Sequence, residues 1–280
     1  MPDSNATKCI LVILDGLGWE ISRSLLGNIE GWVASGEANV WKMRSVLPST
    51  SGPCYASIHT GVHPQEHGVL SNSHEHAVSH ADIFSEVKSA GKVSAAVAHS
   101  YFSTYFQSDP FVPLRDLEVN DPTRVIPYAR FYTMTGESSA NLAVPSDFDL
   151  ATQTTILMQQ HMPDYVLLHL CSPDSVNHKY GPQSIECDLN TYQVDVALAH
   201  YLPTWREQGY EVMITADHGH SDKGHHGGTT AAMREVAFYY FGSAIGPTKD
   251  EVLCQTQIAP SILKRIGISI PESMQSKAFL

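Results

Sequence analysis

The sequence predicts an α/β fold: a central, mostly parallel sheet with helices on both faces. Short, continuous apolar runs recur along the chain, the pattern of strands buried on both faces. Helix-length segments separate them. Three of the runs end in clusters of Asp, Ser or His, and a parallel sheet places its ligand site beyond the carboxyl ends of its strands.

In chain order, "KCILVILDG" reads as the first strand, ending at Asp15. "SRSLLGNIEGWVASG" follows as a helix, with Ser22 as its N-cap and Gly36 near its end. Further strands are expected over 92–99, 164–170, 210–216 and 236–242, and helices over 83–90, 150–161 and 184–208. The stretch 101–145 is rich in Pro, Asp, Thr and aromatics and has no clean period. It reads as an insertion that shapes the substrate pocket. There is no repeat, low-complexity tract or long linker, so residues 1–280 are expected to form one domain.

Composition narrows the function. Five cysteines (Cys9, Cys54, Cys171, Cys187, Cys254) without a C-x-x-C pair argue against a disulfide framework or a zinc knuckle. A net charge of −12 argues against binding a nucleic acid duplex or an anionic membrane. It leaves room for a small anionic substrate, because bound metal ions reverse the local field. The longest clean apolar run, "CILVIL", is strand-sized, far short of the ~20 residues that cross a bilayer. "MPDSNATK" lacks the features of a secretory signal, so a cytoplasmic protein is expected.

The polar clusters carry the chemistry. In "DSVNH", Asp174 and His178 are four apart, on one face of a helix, and can share a divalent ion. Alone, that spacing is common among ordinary surface residues. "ITADHGHSDKGHHGG" adds Asp217, His218, His220, His225 and His226, with Gly219 supplying backbone freedom for a turn. Asp15-Gly16 ends the first strand in a similar way; a lone Asp there is as often a helix cap as a ligand. Mixed carboxylate and imidazole ligands suit Zn²⁺ or Mn²⁺.

"LPSTSGPCYASIHTGVHPQEHGV" contains a helix start, with Ser51 at or near the N-cap and Pro53 in the first turn. Ser51 can cap that helix. It can also be a nucleophile where free backbone N–H groups receive phosphoryl oxygens. A serine hydroxyl needs activation, which a divalent ion can provide.

These motifs, in order, resemble the alkaline phosphatase superfamily, and within it the type I phosphodiesterase and nucleotide pyrophosphatase branch. "VILDGLG" is similar to the branch's first-strand Asp motif. The Leu47–Val69 segment quoted above resembles its nucleophile motif, and "PDSVNHKYGP" its D-x-x-x-H-x-x-G-P metal motif. "TADHGHSDKGHHGG" resembles its D-H-G-M-x-x-x-G-x-H-G segment, and "QIAPSILKRIGISIP" its C-terminal helix.

The resemblance implies an alkaline phosphatase-like fold and two divalent ions, with Zn²⁺ favoured and Mn²⁺ the alternative. It assigns Asp174, His178 and His226 to one ion, and Asp15, Asp217, His218 and the Ser51 hydroxyl to the other. His220 takes the position usually held by Met and His225 a variable one; both are expected outside the ligand set, as is Asp222. Ser51 is the implied nucleophile, with Thr50 as the alternative. The implied reaction runs through a covalent phosphoseryl intermediate, with the ions about 4 Å apart.

Two departures stand out. Cys54 occupies a position where the branch carries an Asn expected to bind a phosphoryl oxygen, and a thiol is a weaker donor. Another residue or backbone N–H groups are then expected to help. The C-x-P-x-R frame of sulfatases is replaced by Ser51 and Tyr55, which argues against a formylglycine sulfatase. The expected substrate is a phosphodiester or nucleotide pyrophosphate. The alternatives are a phosphomonoester, for which Arg115, Arg124 or Arg130 could bind the extra charge, a phosphonate, or a metal-binding relative without turnover.

Overall fold

A computed structural model of the chain describes residues 7–134 and 144–280, so part of the stretch read as an insertion lies outside the described residues. Among the described residues nine strands form one sheet: β1 (Lys8–Leu14), β2 (Asn39–Arg44), β3 (Ser94–His99), β4 (Glu118–Asn120), β5 (Tyr128–Tyr132), β6 (Tyr165–Leu170), β7 (Tyr210–Thr215), β8 (Glu235–Phe241) and β9 (Leu253–Cys254). Their order is β4-β5-β3-β6-β1-β7-β8-β2-β9. The five from β5 to β7 are parallel, whereas β4 and β8 run against their neighbours.

The centre is explained by its sequence. β6 and β7 are buried at every position and β1 at all but its first, so both faces need apolar residues. β1 lies between β6 and β7, with Leu14 beside Leu170 and Ile13 beside Thr215. That register brings three strand ends level. Each is followed by one of the polar clusters.

Helices surround the sheet in two groups. The long helix Ile185–Glu207, capped by Ser184, packs on Asp147–His161 and Ser172–Tyr180. The helix Ser51–Thr60 packs with Ile83–Ser89 and Ile258–Arg265. No helix among the described residues is long and apolar enough to cross a membrane.

Three details differ from the sequence reading. The segment after β1 forms two helices, Trp19–Leu25 and Gly27–Ala34, and Ser22 lies inside the first instead of capping it. The break is held by tertiary contact: Asp195 accepts hydrogen bonds from the Asn28 and Ile29 backbone N–H groups, satisfying donors that the second helix leaves free. Part of the stretch read as an insertion is integral to the sheet, because it supplies β4 and β5. β5 is short and alternates buried and half-buried residues, too brief a signal to stand out beside its prolines. β2 is not among the expected strands; its place is set by antiparallel pairing with β8.

One buried histidine has a testable consequence. His59 is fully buried against Phe84, Phe102 and Phe106. Its Nδ1 lies 3.0 Å from the Tyr55 carbonyl, which only accepts, so Nδ1 carries the proton and Nε2 accepts from the Tyr165 hydroxyl. The neutral ring is satisfied, and burial pushes its pKa down to about 3 from an ordinary 6.5. The unfolded chain therefore binds a proton over that window and the folded chain does not, so stability is lost as pH falls from about 6.5 towards 3. Unfolding free energy measured against pH should have a steeper slope there in the wild type than in His59→Gln. Equal slopes would refute this assignment.

Candidate active site

The three level strand ends bring two groups of side chains together. Asp15 follows β1, and its backbone N–H donates to the Leu170 carbonyl at the end of β6 (2.9 Å). Gly16 then turns the chain at φ +73°. A Cβ there would lie 2.5 Å from His220 Cε1 and 3.0 Å from the Asp174 backbone. Gly16→Ala combines left-handed strain with overpacking, so it should cost about 2–4 kcal/mol of stability. Urea unfolding of the two proteins checks this, and a loss within error of zero would mean the loop is far softer than its contacts indicate.

The first group gathers Asp15, Asp217 and His218 with Ser51. His218 Nε2 lies 3.2 Å from Ser51 Oγ, 3.3 Å from Asp217 Oδ2 and 3.6 Å from Asp15 Oδ1. The outer carboxylate oxygens are occupied. Asp217 Oδ1 accepts the backbone N–H groups of Gly16 and His218, and Asp15 Oδ2 accepts the Tyr55 hydroxyl. The inner oxygens, Asp15 Oδ1 and Asp217 Oδ2, are buried without any hydrogen bond. An unpaired buried carboxylate oxygen is costly in free energy, and a cation removes that cost.

Two carboxylates so close cannot ionise independently. Burial works to raise the Asp15 carboxyl, but the contact with His169 and the hydrogen bond from the Tyr55 hydroxyl outweigh it and hold the group below the usual range. Burial and then the Asp15 charge push Asp217 well above that range. His218 is held neutral, with its pKa pushed down to about 3 by burial first and His226 second. A neutral imidazole is the ligand form. The donor set fits a divalent ion.

The second group holds Asp174, His178 and His226. Pro173 in the first turn suits the start of the Ser172–Tyr180 helix, which sets Asp174 and His178 one turn apart. His178 Nε2 is 3.5 Å from Asp174 Oδ1 and 3.0 Å from His226 Nε2, and His226 Nε2 is 3.7 Å from Asp174 Oδ1. His178 Nδ1 donates to the Gly224 carbonyl (2.8 Å), the outer hydrogen bond typical of metal-ligating histidines. Gly224 takes φ +71°, and a Cβ there would lie 2.4 Å from the Asn177 carbonyl oxygen. The His218 and His226 rings stack 4.0 Å apart, so the two groups share a wall.

His220, read as lying outside the ligand set, is buried beside the second group, its Nε2 3.1 Å from Asp174 Oδ1. Its signal in the sequence is the H-x-H spacing of His218 and His220, which an extended chain places on one side. His225 and Asp222 are exposed.

Ser51 is the first residue of its helix and Thr50 the N-cap. Ser51 Oγ reaches His218, whereas Thr50 Oγ1 is buried without a partner. Cys54 is fully buried, and burial first, then the Asp217 and Asp15 charges, push its thiol pKa well up. Asn72 stands beside the start of the same helix. Asn72 Oδ1 accepts the Gly52 backbone N–H (2.8 Å), leaving its NH₂ group for another partner. Sequence reasoning missed it because Asn72 lies 21 residues from Ser51, in a segment without regular structure. Tyr101 donates to the Asn72 carbonyl (3.0 Å), and the Tyr105 hydroxyl approaches Gly52.

The three arginines weighed for a phosphomonoester are engaged elsewhere. Arg115 and Arg124 both pair with the buried Asp116, and Arg130 pairs with Glu118.

Known proteins share this chain's sequence in part and its fold more broadly. Over a 126-residue match the chain is 30% identical to a 2,3-bisphosphoglycerate-independent phosphoglycerate mutase of Natronomonas pharaonis, covering 42% of this chain and 24% of that protein. The chain spans about a quarter of the length of such curated relatives. Its fold is similar to murine ectonucleotide pyrophosphatase/phosphodiesterase 5, solved as an inactive variant with AMP (TM-score 0.70, 13% identity, 95% of this chain and 96% of that one). It is also similar to phosphonoacetate hydrolase from Sinorhizobium meliloti with phosphonoformate (TM-score 0.53, 19% identity, 78% and 57%). These are alkaline phosphatase-like folds. The model of one family matches residues 9–228, a span that runs from β1 through both ligand groups, and on that match the chain belongs to the type I phosphodiesterase / nucleotide pyrophosphatase family.

Proposed function

We propose that this chain hydrolyses phosphodiester or nucleotide pyrophosphate bonds, with Ser51 as nucleophile and two divalent ions as cofactors. The observation that carries the reading is the convergence of Ser51 Oγ with His218, Asp15 and Asp217 at the N-terminus of a helix. Asp15, Asp217, His218 and Ser51 would hold one ion, and Asp174, His178 and His226 the other. When bound, the ions supply Lewis-acid stabilisation of the phosphoryl oxygens and lower the pKa of the nucleophile.

The chain's own residues do the rest. Ser51 loses its proton and attacks phosphorus; a bond from Oγ to phosphorus forms as the bond to the leaving oxygen breaks. Water then hydrolyses the phosphoseryl ester and restores the Ser51 hydroxyl. Gly52 gives its N–H to Asn72, Pro53 has none and Cys54 gives its own to the Thr50 carbonyl, so the Ser51 backbone N–H is the one at this helix start left for a phosphoryl oxygen. The Asn72 amide is the side-chain donor beside it, in the role the sequence reading gives to Cys54. Tyr101 brings the stretch from residue 101 to the same spot, consistent with its shaping the substrate pocket.

The ion pairs of Arg115, Arg124 and Arg130 favour a substrate without the extra charge of a monoester. A panel of diesters, monoesters, phosphonates and nucleotides, with Zn²⁺ or Mn²⁺ added, tests the reading. Bis-p-nitrophenyl phosphate should be cleaved at least about tenfold faster, in kcat/KM, than p-nitrophenyl phosphate, a difference of ~1.4 kcal/mol in transition-state binding. The reverse ratio, or cleavage confined to phosphonates, would overturn it.

A further inference from the structure

We propose that His220 is a fourth protein ligand of the ion held by Asp174, His178 and His226. The inference rests on the metal-dependent reading above and concerns a position that the family resemblance leaves to Met.

Which ring nitrogen of His220 carries the proton decides what the other can bind. His220 Nδ1 lies 3.0 Å from the Gly16 carbonyl oxygen. A carbonyl only accepts, so Nδ1 is the donor, and in a neutral ring Nε2 is a bare lone pair. That lone pair is buried, 3.1 Å from Asp174 Oδ1, and neither atom makes a hydrogen bond. Two lone pairs at that distance repel unless a cation lies between them. His178 Nδ1 donates to Gly224, so its Nε2 is a lone pair too; it lies 3.0 Å from His226 Nε2, a gap that either a proton on His226 or a shared cation fills.

A single divalent ion among these atoms would engage the lone pairs of His220 Nε2, His178 Nε2 and Asp174 Oδ1 together. Tetrahedral ligands at bonds of ~2.0–2.1 Å stand about 3.3 Å apart. The measured separations of 3.0, 3.1, 3.5 and 3.7 Å bracket that value. The four donor atoms all lie within 4.8 Å of one another.

The alternative is that His220 only buttresses the Gly16 turn through Nδ1. That role leaves its buried Nε2 without a purpose or a partner. A ligand role uses both nitrogens, with Gly16 as the outer hydrogen bond that fixes the tautomer. With four protein ligands, a Zn²⁺ ion here would have its tetrahedral positions filled by Asp174, His178, His220 and His226.

The decisive measurement needs no variant. Long-range proton–nitrogen NMR correlations of histidine rings in the full chain, recorded before and after Zn²⁺ loading, should show four Nε2 nitrogens moving to metal-bound positions: those of His178, His218, His220 and His226. His220→Asn then assigns the fourth signal. Asn keeps a donor towards Gly16 and deletes Nε2, so a purely structural role would be rescued by it. Calorimetric Zn²⁺ titration of His220→Asn should show one of two sites weakened at least about tenfold, since even outer-shell losses cost about 10–100-fold. The exposed His225→Asn should titrate as wild type does. If two ions bind but only three ring nitrogens move, or if His220→Asn keeps wild-type affinity at both sites, the inference fails and the hydrolase reading stands. If the wild type binds no ion, both fail.

Discussion

Ser51→Ala should lose at least about 10³-fold in kcat, while Thr50→Ala stays near wild type. The asymmetry follows from the helix start. Ser51 is the first helical residue and its Oγ points to His218, whereas Thr50 precedes the helix and its hydroxyl makes no contact with either ligand group. Ser51→Ala removes one oxygen from a group whose other ligands remain, so the variant should still bind ions and fold. Ser51→Thr keeps a hydroxyl and should recover part of the activity. Mass spectrometry of an acid-quenched reaction should find a phosphoryl adduct on Ser51 in the wild type and none in Ser51→Ala. Full activity in Ser51→Ala together with loss in Thr50→Ala would move the nucleophile to Thr50.

Stripping metal should abolish turnover and lower the melting temperature, and Zn²⁺ or Mn²⁺ should restore both. Asp15 Oδ1, Asp217 Oδ2 and Asp174 Oδ1 are buried or nearly so and lack hydrogen bonds. Without a cation each carries a desolvation cost of about 1–3 kcal/mol or more. An ion that binds only the folded chain adds about 2.7 kcal/mol per site when its free concentration is about 100 times its Kd. Thermal unfolding before and after chelation, with elemental analysis of the same samples, measures the effect. Undiminished activity in protein shown to be metal-free would sink the two-ion scheme. A single ion per chain at saturation would confine the chemistry to one of the two groups.

Much of this site is legible in the order of residues alone. Asp15, "DSVNH" and "DHGH" each follow a continuous apolar run, and parallel strands deliver their ends to one edge. The grouping of Asp174 with His178 needs only the helical repeat. The order of motifs supplies the division into two ligand groups, and the structure shows Asp15, Asp217 and His218 in one cluster and Asp174, His178 and His226 in the other. His220 and Asn72 escape such reasoning. His220 sits where the resemblance has Met, and its approach to Asp174, on the Ser172–Tyr180 helix, exists only in the folded chain. Asn72 meets Gly52 through a hydrogen bond that no local spacing encodes.

Local chemistry therefore determined the central strands, the main helices and the residue types that can bind a divalent ion, because apolar runs and helical spacing are short-range properties. Contacts between distant segments decided the rest. Asp195 sets the helix break before Asn28, pairing with β3 draws β5 into the sheet, and the level ends of β6, β1 and β7 set which carboxylates are left bare. A buried oxygen or nitrogen without a partner exists only once the chain has closed around it. The sequence named the atoms that could hold an ion, and tertiary packing decided which of them face one.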